Sequence, residues 1–330
     1  MNKPNVYVTR SIPEPGLKLI SESANMVLHE GDLPPSRQEL LSNTKDVDGI
    51  LCMLTDKIDD ELIANAKNLK VISSLSVGYD HIDIAAATKR GIYVSHTPDV
   101  LTDSVADLVF GLILSTARRI VESDQLIRNK KWTLPWSPTF MLGSEVYGKT
   151  LGILGLGRIG KEVALRASGF KMNLLYYDIV RLPESVEKEL SVTYVDVNTL
   201  FKESDFLSIH LSLNKNTINF VDSDKLSMMK KSSILINTSR GPVVNESDLV
   251  DALKSKRIRS AGLDVFSTEP LNLDNPLISL SDIVLMPHLS SATLETRSKM
   301  SELAANNLLL VLQGKKPITI VNPDVVNSVS

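Results

Sequence analysis

The chain has 330 residues, and at a typical size of about 150 residues per domain it should fold as two domains. Hydrophobic residues make up 43% and charged residues 23%, which excludes a disordered or collagenous chain. Lys and Arg number 36 against 39 Asp and Glu, a net charge of −3 that argues against a nucleic-acid scaffold or a polybasic membrane binder.

The first ten residues start polar, show no apolar stretch of a secretory signal, and run into a strand at Val6–Val8. Helical patterns at Glu14–Ser23 and Arg37–Ser42 precede a strand over Gly49–Leu54. That strand carries the single cysteine, Cys52, expected to be a buried thiol with no disulfide partner. Strands follow at Val71–Ser73 and Ile92–Val94, with a helix at Asp83–Lys89 between them. From Leu101 to Asn129 the residues Ala106, Val109, Ile113, Ala117 and Ile120 recur near helical spacing and predict one long helix. Its apolar run, Leu108–Leu114, is far shorter than the ~20 residues of a membrane span, so a soluble, cytoplasmic protein is expected. An irregular stretch, Lys130–Gly148, holds both tryptophans. Strands then resume at Leu151–Leu154, Leu174–Tyr177, Phe206–Leu211, Ile234–Asn237, Ala261–Val265 and Ile283–Met286, each followed by a loop or helix. This alternation predicts two α/β halves with parallel sheets. The last helix, about Thr293–Gln313, has no strand to cross to. It can return to the first half and make that domain discontinuous.

The strand at Leu151–Leu154 runs into Gly155-Leu156-Gly157-Arg158-Ile159-Gly160 and then a helical segment, Lys161–Ser168. On a strand-to-helix turn this spacing is a phosphate-binding loop. Gly155 permits the turn, Gly157 admits a pyrophosphate to the backbone, and Gly160 lets the helix pack closely. The helix N-terminus offers N–H groups and a positive dipole end. Asp178 closes the next strand, where an acid binds the adenosine ribose hydroxyls and repels a 2′-phosphate, so NAD is favoured. Arg181, three residues on, could serve a 2′-phosphate and keeps NADP open.

Three later strands end in Thr238-Ser239-Arg240, in Asp264 with Glu269 beyond it, and in Pro287-His288. Ligands of open parallel sheets bind at these carboxyl ends. Together the groups suit hydride transfer on a hydroxy acid: a guanidinium for the carboxylate, an imidazole as acid or base, and a carboxylate beside it. His29, His96 and His81 are read as structural or surface residues, and His210 as a residue within the strand, with a place on the cofactor rim as the alternative. No metal-ligand spacing is present, so no metal is expected.

These motifs resemble the D-isomer-specific 2-hydroxyacid dehydrogenase family, and within it the glyoxylate/hydroxypyruvate reductases. The resemblance rests on Ser76–Asp83, Thr97–Asp103, the loop Gly155–Gly160, Asn237–Gly241, Gly262–Phe266 with Glu269-Pro270, and Pro287-His288, in that order. It implies two Rossmann-like, doubly wound parallel-sheet domains with a cleft between them: a substrate domain of residues 1–99 and 290–330, and a dinucleotide-binding domain of residues 100–289. By the same resemblance Arg240, Glu269 and His288 are catalytic, with His288 the proton donor and Glu269 its partner. Val77, Gly78, Arg240 and His288 bind the substrate. Leu156, Gly157, Arg158, Ile159, Asp178, Ile179, Val180, Ser212, Thr238, Ser239, Arg240 and Asp264 contact NAD or NADP. A homodimer is implied through the long helix and the segment after it, with Phe140 or Trp136 reaching the partner's site. The activity implied is NAD(P)-dependent reduction of a small 2-keto acid. Its rivals are a D-3-phosphoglycerate or D-lactate dehydrogenase and a non-enzymatic NAD-sensing corepressor. With 330 residues, the further regulatory domain of many phosphoglycerate dehydrogenases is not expected.

Overall fold

The computed structural model describes residues 3–325; residues 1–2 and 326–330, which the sequence reading counts in the substrate domain, lie outside the described residues. The chain divides into two compact units, Met1–Leu101 with Ser291–Ser330, and Thr102–Ser290.

The first unit opens with β1 (Asn5–Val8), α1 (Glu14–Ser23), β2 (Asn25–Leu28), α2 (Arg37–Asn43) and β3 (Gly49–Cys52). It continues with α3 (Asp60–Asn65), β4 (Val71–Ser74), α4 (Ile84–Lys89) and β5 (Tyr93–Ser95). Its five strands are all parallel, in the order β2-β1-β3-β4-β5. β3 and β4 are buried along their whole length, which is why β3 reads as an unbroken apolar run and neither alternates with exposed polar residues. Side chains of Ser36, Asp59 and Asp83 accept the first free N–H groups of α2, α3 and α4 and fix where those helices begin.

The second unit starts with α5 (Thr102–Ala117) and α6 (Ile120–Arg128). These replace the single long helix expected over Leu101–Asn129. Arg119 takes a left-handed φ of 56°, which breaks the hydrogen-bond ladder although the apolar spacing runs on. Next come β6 (Thr150–Leu154), α7 (Arg158–Ser168), β7 (Asn173–Tyr177), α8 (Glu184–Leu190), β8 (Val192–Tyr194) and α9 (Val197–Glu203). The unit ends with β9 (Phe206–Ile209), α10 (Ser223–Met228), β10 (Ile234–Asn237), α11 (Glu246–Lys254), β11 (Ser260–Leu263) and β12 (Val284–Leu285). Seven parallel strands lie in the order β12-β11-β10-β9-β6-β7-β8. Strand order reverses between β6 and β9, the switch point at which open α/β sheets take ligands. On one face Val109, Leu112 and Ile113 of α5 pack with Val163, Ala164 and Ala167 of α7. Leu200, Phe201, Leu249 and Leu253 cover the other face. Each of the larger side chains contributes roughly 1.5–3 kcal/mol by its burial.

The last helix, α12 (Leu294–Leu312), belongs to the first unit, where it packs on α1, β3, β4 and β5. Ser73 Oγ donates to the Ala304 carbonyl at 2.8 Å, and Gly16 lets α1 approach the Ser301 backbone. Beyond the helix, Asn322 closes the edge of β5: its Oδ1 accepts from Val94 N–H at 2.8 Å and its Nδ2 donates to Ile92 O at 2.9 Å.

The registers of the seven-stranded sheet align its strand ends. Tyr177, Leu154, Ile209, Asn237, Leu263 and Leu285 stand in one row across β7, β6, β9, β10, β11 and β12. The following residues, Asp178, Gly155, His210, Thr238, Asp264 and Met286, therefore leave the sheet together, from strands about 4.8 Å apart.

Candidate active site

At the switch point Gly155 has a φ of +94°, a conformation that L side chains rarely adopt, and a Cβ on Gly160 would strike the Gly155 carbonyl. The two glycines thus fold β6 into α7 over a short distance. Gly157 caps α7, and a Cβ there would meet nothing within 4 Å, so the helix N-terminus is open to an anion. Asp178 Oδ2 accepts from Leu156 N–H and Oδ1 from Ile179 N–H, both at 2.8 Å, which fixes the carboxylate beside the turn. Arg158 is exposed and Ile159 is packed against the core beneath. Ile179 and Val180 are exposed at the end of β7, and Ser212 is exposed past the end of β9. Thr238 Oγ1 is buried on the same carboxyl edge and has no hydrogen-bond partner among the described residues. These residues fit a dinucleotide: an open helix N-terminus for phosphates and a fixed carboxylate where a ribose diol would sit.

His210 lies one residue past β9 rather than within the expected strand. Its N–H donates to Leu154 O at 2.8 Å, and its carbonyl backs the Gly155 turn. Burial holds its imidazole down to about 4, so it is neutral at pH 7, with Nε2 2.8 Å from Ser208 Oγ.

Arg240, Glu269 and His288 are brought together in the second unit. His288 Nδ1 lies 2.7 Å from Glu269 Oε2, and Glu269 Oε1 accepts from Phe266 N–H at 3.0 Å. Burial raises the Glu269 pKa, but the His288 imidazole, the Phe266 N–H and the Arg240 charge outweigh it and hold the carboxyl below the usual glutamate range. Arg240 is half-buried, with Nη1 donating to Ser239 O at 2.9 Å.

Two buried side chains hold these loops, and the sequence pattern gave neither that role. Asn237 Nδ2 donates to Arg240 O at 3.0 Å, while its Oδ1 accepts from Ser239 N–H and Oγ. Asp264, expected as a cofactor contact, is fully buried. Its Oδ1 accepts from Leu289 N–H at 2.7 Å, its Oδ2 from Ser290 N–H at 2.9 Å, and its carbonyl from His288 N–H at 2.9 Å. His288 itself has a φ of 54°. A left-handed non-glycine residue costs about 1–2 kcal/mol, and three bonds from one residue offset that. A strand-end Asp or Asn is a visible sequence signal; its grip on a distant loop is not. Glu246 likewise holds the loop before Glu269, accepting from Ser267 N–H and Oγ.

In the first unit Val77 and Gly78 lie in the turn after β4. Val77 O is 2.8 Å from His96 Nδ1, and Gly78 O accepts from Ser76 Oγ at 2.7 Å. His81 Nε2 lies 3.1 Å from Ser74 Oγ, next to the fully buried Cys52 thiol, whose pKa burial pushes up. His29 Nε2 is 3.2 Å from Leu33 O. Among the described residues no three His, Cys, Asp or Glu side chains gather to hold a metal, and no helix is long and apolar enough to cross a membrane.

Residues 110–290 match the model of the D-isomer specific 2-hydroxyacid dehydrogenase, NAD binding domain. A glyoxylate reductase of Thermofilum pendens is 52% identical over 326 residues, covering 98% of this chain and 96% of its own. A protein of Thermus thermophilus superposes with a TM-score of 0.90 at 40% identity, covering 96% of this chain and 99% of its own. An NADPH-dependent glyoxylate/hydroxypyruvate reductase of Sinorhizobium meliloti, solved with NADP and malonate, gives 0.86 at 32% identity, covering 98% of each chain. With its two parallel-sheet units and its glycine turn at the switch point, the chain belongs to the D-isomer specific 2-hydroxyacid dehydrogenase family, a family of NAD(P)-dependent oxidoreductases.

Proposed function

We propose that the protein reduces a small 2-keto acid, glyoxylate or hydroxypyruvate, to the D-2-hydroxy acid with a reduced nicotinamide dinucleotide. The observation that carries the reading is the His288–Glu269 pair at 2.7 Å, within reach of the Arg240 charge, in the unit that also bears the glycine turn. The names of the relatives supply the substrate class.

In this reading Arg240 takes the keto-acid carboxylate and carbonyl, because a planar fork fixes both position and tilt. The backbone N–H groups of Val77 and Gly78 are the substrate contacts contributed by the first unit. Glu269 keeps Nδ1 of His288, so Nε2 is the atom that hands a proton to the carbonyl oxygen. When bound, the reduced nicotinamide supplies the hydride. Leu156, Gly157, Arg158 and Ile159 hold its phosphates, Asp178, Ile179 and Val180 its adenosine side, and Ser212, Thr238 and Ser239 the remainder, while Asp264, fully buried and bonded to Leu289 and Ser290, holds the His288 loop instead. Residues 1–99 with 290–330 serve as the substrate domain and 100–289 as the dinucleotide domain.

The proposal extends to a cytoplasmic homodimer formed through α6 and residues 130–148, where Ile120, Ile127, Trp132, Trp136 and Phe140 are exposed apolar side chains. Phe140 or Trp136 would enter the partner's site.

The test follows absorbance at the reduced-nicotinamide band with glyoxylate, hydroxypyruvate, pyruvate and phosphohydroxypyruvate in turn. Fastest turnover on the first two is expected. Preference for either of the others moves the protein to a lactate or phosphoglycerate dehydrogenase, and tight dinucleotide binding without turnover on any acid rejects the enzymatic reading.

A further inference from the structure

Two residues at the end of β7 compete to decide which dinucleotide this chain takes. Asp178 is fixed beside the glycine turn by the N–H groups of Leu156 and Ile179. Arg181 is the nearby cation that a 2′-phosphate would call on, but its guanidinium is already engaged. Its Nε donates to Glu187 Oε1 and its Nη2 to Glu187 Oε2, both at 2.8 Å, a bidentate fork. The same guanidinium stands 5.5 Å from the centre of the Tyr194 ring.

Glu187 is a firm anchor. Its side chain is only 8% exposed, and Oε1 also accepts from the Tyr176 hydroxyl at 2.6 Å. That hydroxyl accepts in turn from Leu182 N–H at 2.9 Å, so β7, α8 and β8 all contribute to the clamp. The Arg181 guanidinium and then the Tyr176 hydroxyl hold the Glu187 carboxyl down to about 2, and burial and Glu187 push the Tyr176 phenol up to about 12. The arginine therefore faces a full negative charge at every physiological pH.

Asp178 stands where the acid of a dinucleotide site disfavours a 2′-phosphate; we propose that Glu187 adds a second barrier by compensating the charge of Arg181, the cation such a phosphate would otherwise call on. The inference rests on the dinucleotide reading above and narrows it to NADH. A 2′-phosphate brings close to two negative charges, and near Asp178 it finds a cation whose charge is already met. A phosphate reaching Arg181 would meet only the N–H groups that Glu187 does not use, on a guanidinium whose charge that carboxylate already compensates.

The test is isothermal titration of the full chain with ADP-ribose and with 2′-phospho-ADP-ribose, which report binding without turnover. The wild-type chain should bind ADP-ribose tighter by about tenfold or more, the worth of one charge-assisted hydrogen bond. Glu187→Gln should raise affinity for the phosphorylated fragment several-fold, and adding Arg181→Ala to it should cancel the gain. Arg181→Ala alone, which keeps Glu187 bonded to Tyr176, should leave the ratio of the two affinities within about twofold of wild type. Equal binding of both fragments by the wild type overturns the proposal. So does a loss of the phosphorylated fragment's binding in Arg181→Ala alone, since that makes Arg181 a phosphate ligand. Binding of neither fragment removes the dinucleotide reading and this proposal with it.

Discussion

Glu269 holds His288 by one carboxylate oxygen, 2.7 Å from Nδ1, while its other oxygen is fixed by the Phe266 N–H. The imidazole is therefore tethered at one nitrogen by a carboxylate that is itself held by the backbone. Replacement of His288 by Gln keeps hydrogen-bonding capacity but removes the transferable proton. The expected result is a kcat lowered about 10²–10⁴-fold, with affinity for the reduced dinucleotide by titration close to wild type. A His288→Gln enzyme of undiminished kcat would remove the proton-donor role.

The tether also sets an acid limit. The Glu269 pKa is lower in the folded chain than in the unfolded one. Between the two values the unfolded chain binds the extra proton, so the pair contributes its stability above the ordinary glutamate value of about 4.3. That contribution is lost as pH falls through the folded value. Glu269→Gln should be less stable than wild type in urea at pH 7, and the gap should close as the pH is taken below about 4. A gap of constant size across this range would show that the charge of Glu269 is not what stabilises the loop.

Arg240 tests substrate handling. Arg240→Lys retains the charge but replaces a fork by a point donor. The expected result is a rise in KM for the keto acid and a kcat/KM lower by about tenfold or more. Equal KM values would take the substrate carboxylate away from Arg240.

Asp264 tests the left-handed His288. In Asp264→Asn one of the two acceptor positions for Leu289 and Ser290 becomes an N–H donor facing another donor. Leaving that buried group unmet should cost about 1–3 kcal/mol in urea denaturation. Release of the loop should lower kcat more than it raises KM for the keto acid. Wild-type stability and kcat together would show that the clamp contributes nothing.

The sequence exposed much of this architecture because parallel strands covered on both faces are short unbroken apolar runs, as at Gly49–Cys52 and Ile234–Asn237. The strands it hid are β2 and β8, at sheet edges, where Asn25–Leu28 and Val192–Tyr194 are short and partly exposed and burial does not select for apolar residues on both faces. The break between α5 and α6 was hidden for the opposite reason: helical spacing continues through it, and only the backbone of Arg119 departs. At the candidate site the strand-end groups were legible, because a parallel sheet delivers every carboxyl end to one edge. The grip of Asp264 on Leu289 and Ser290, and of Glu187 on Arg181, joins residues across turns whose path no local pattern specifies.

The helix that roofs β3, β4 and β5 is encoded after the entire second unit. During synthesis the strands made first thus wait, one apolar side bare, while the contiguous middle of the chain can already close. The order of completion runs against the order of translation. A nascent chain stalled before Leu294 should be a client for chaperones at that uncovered sheet, however well its middle portion has folded.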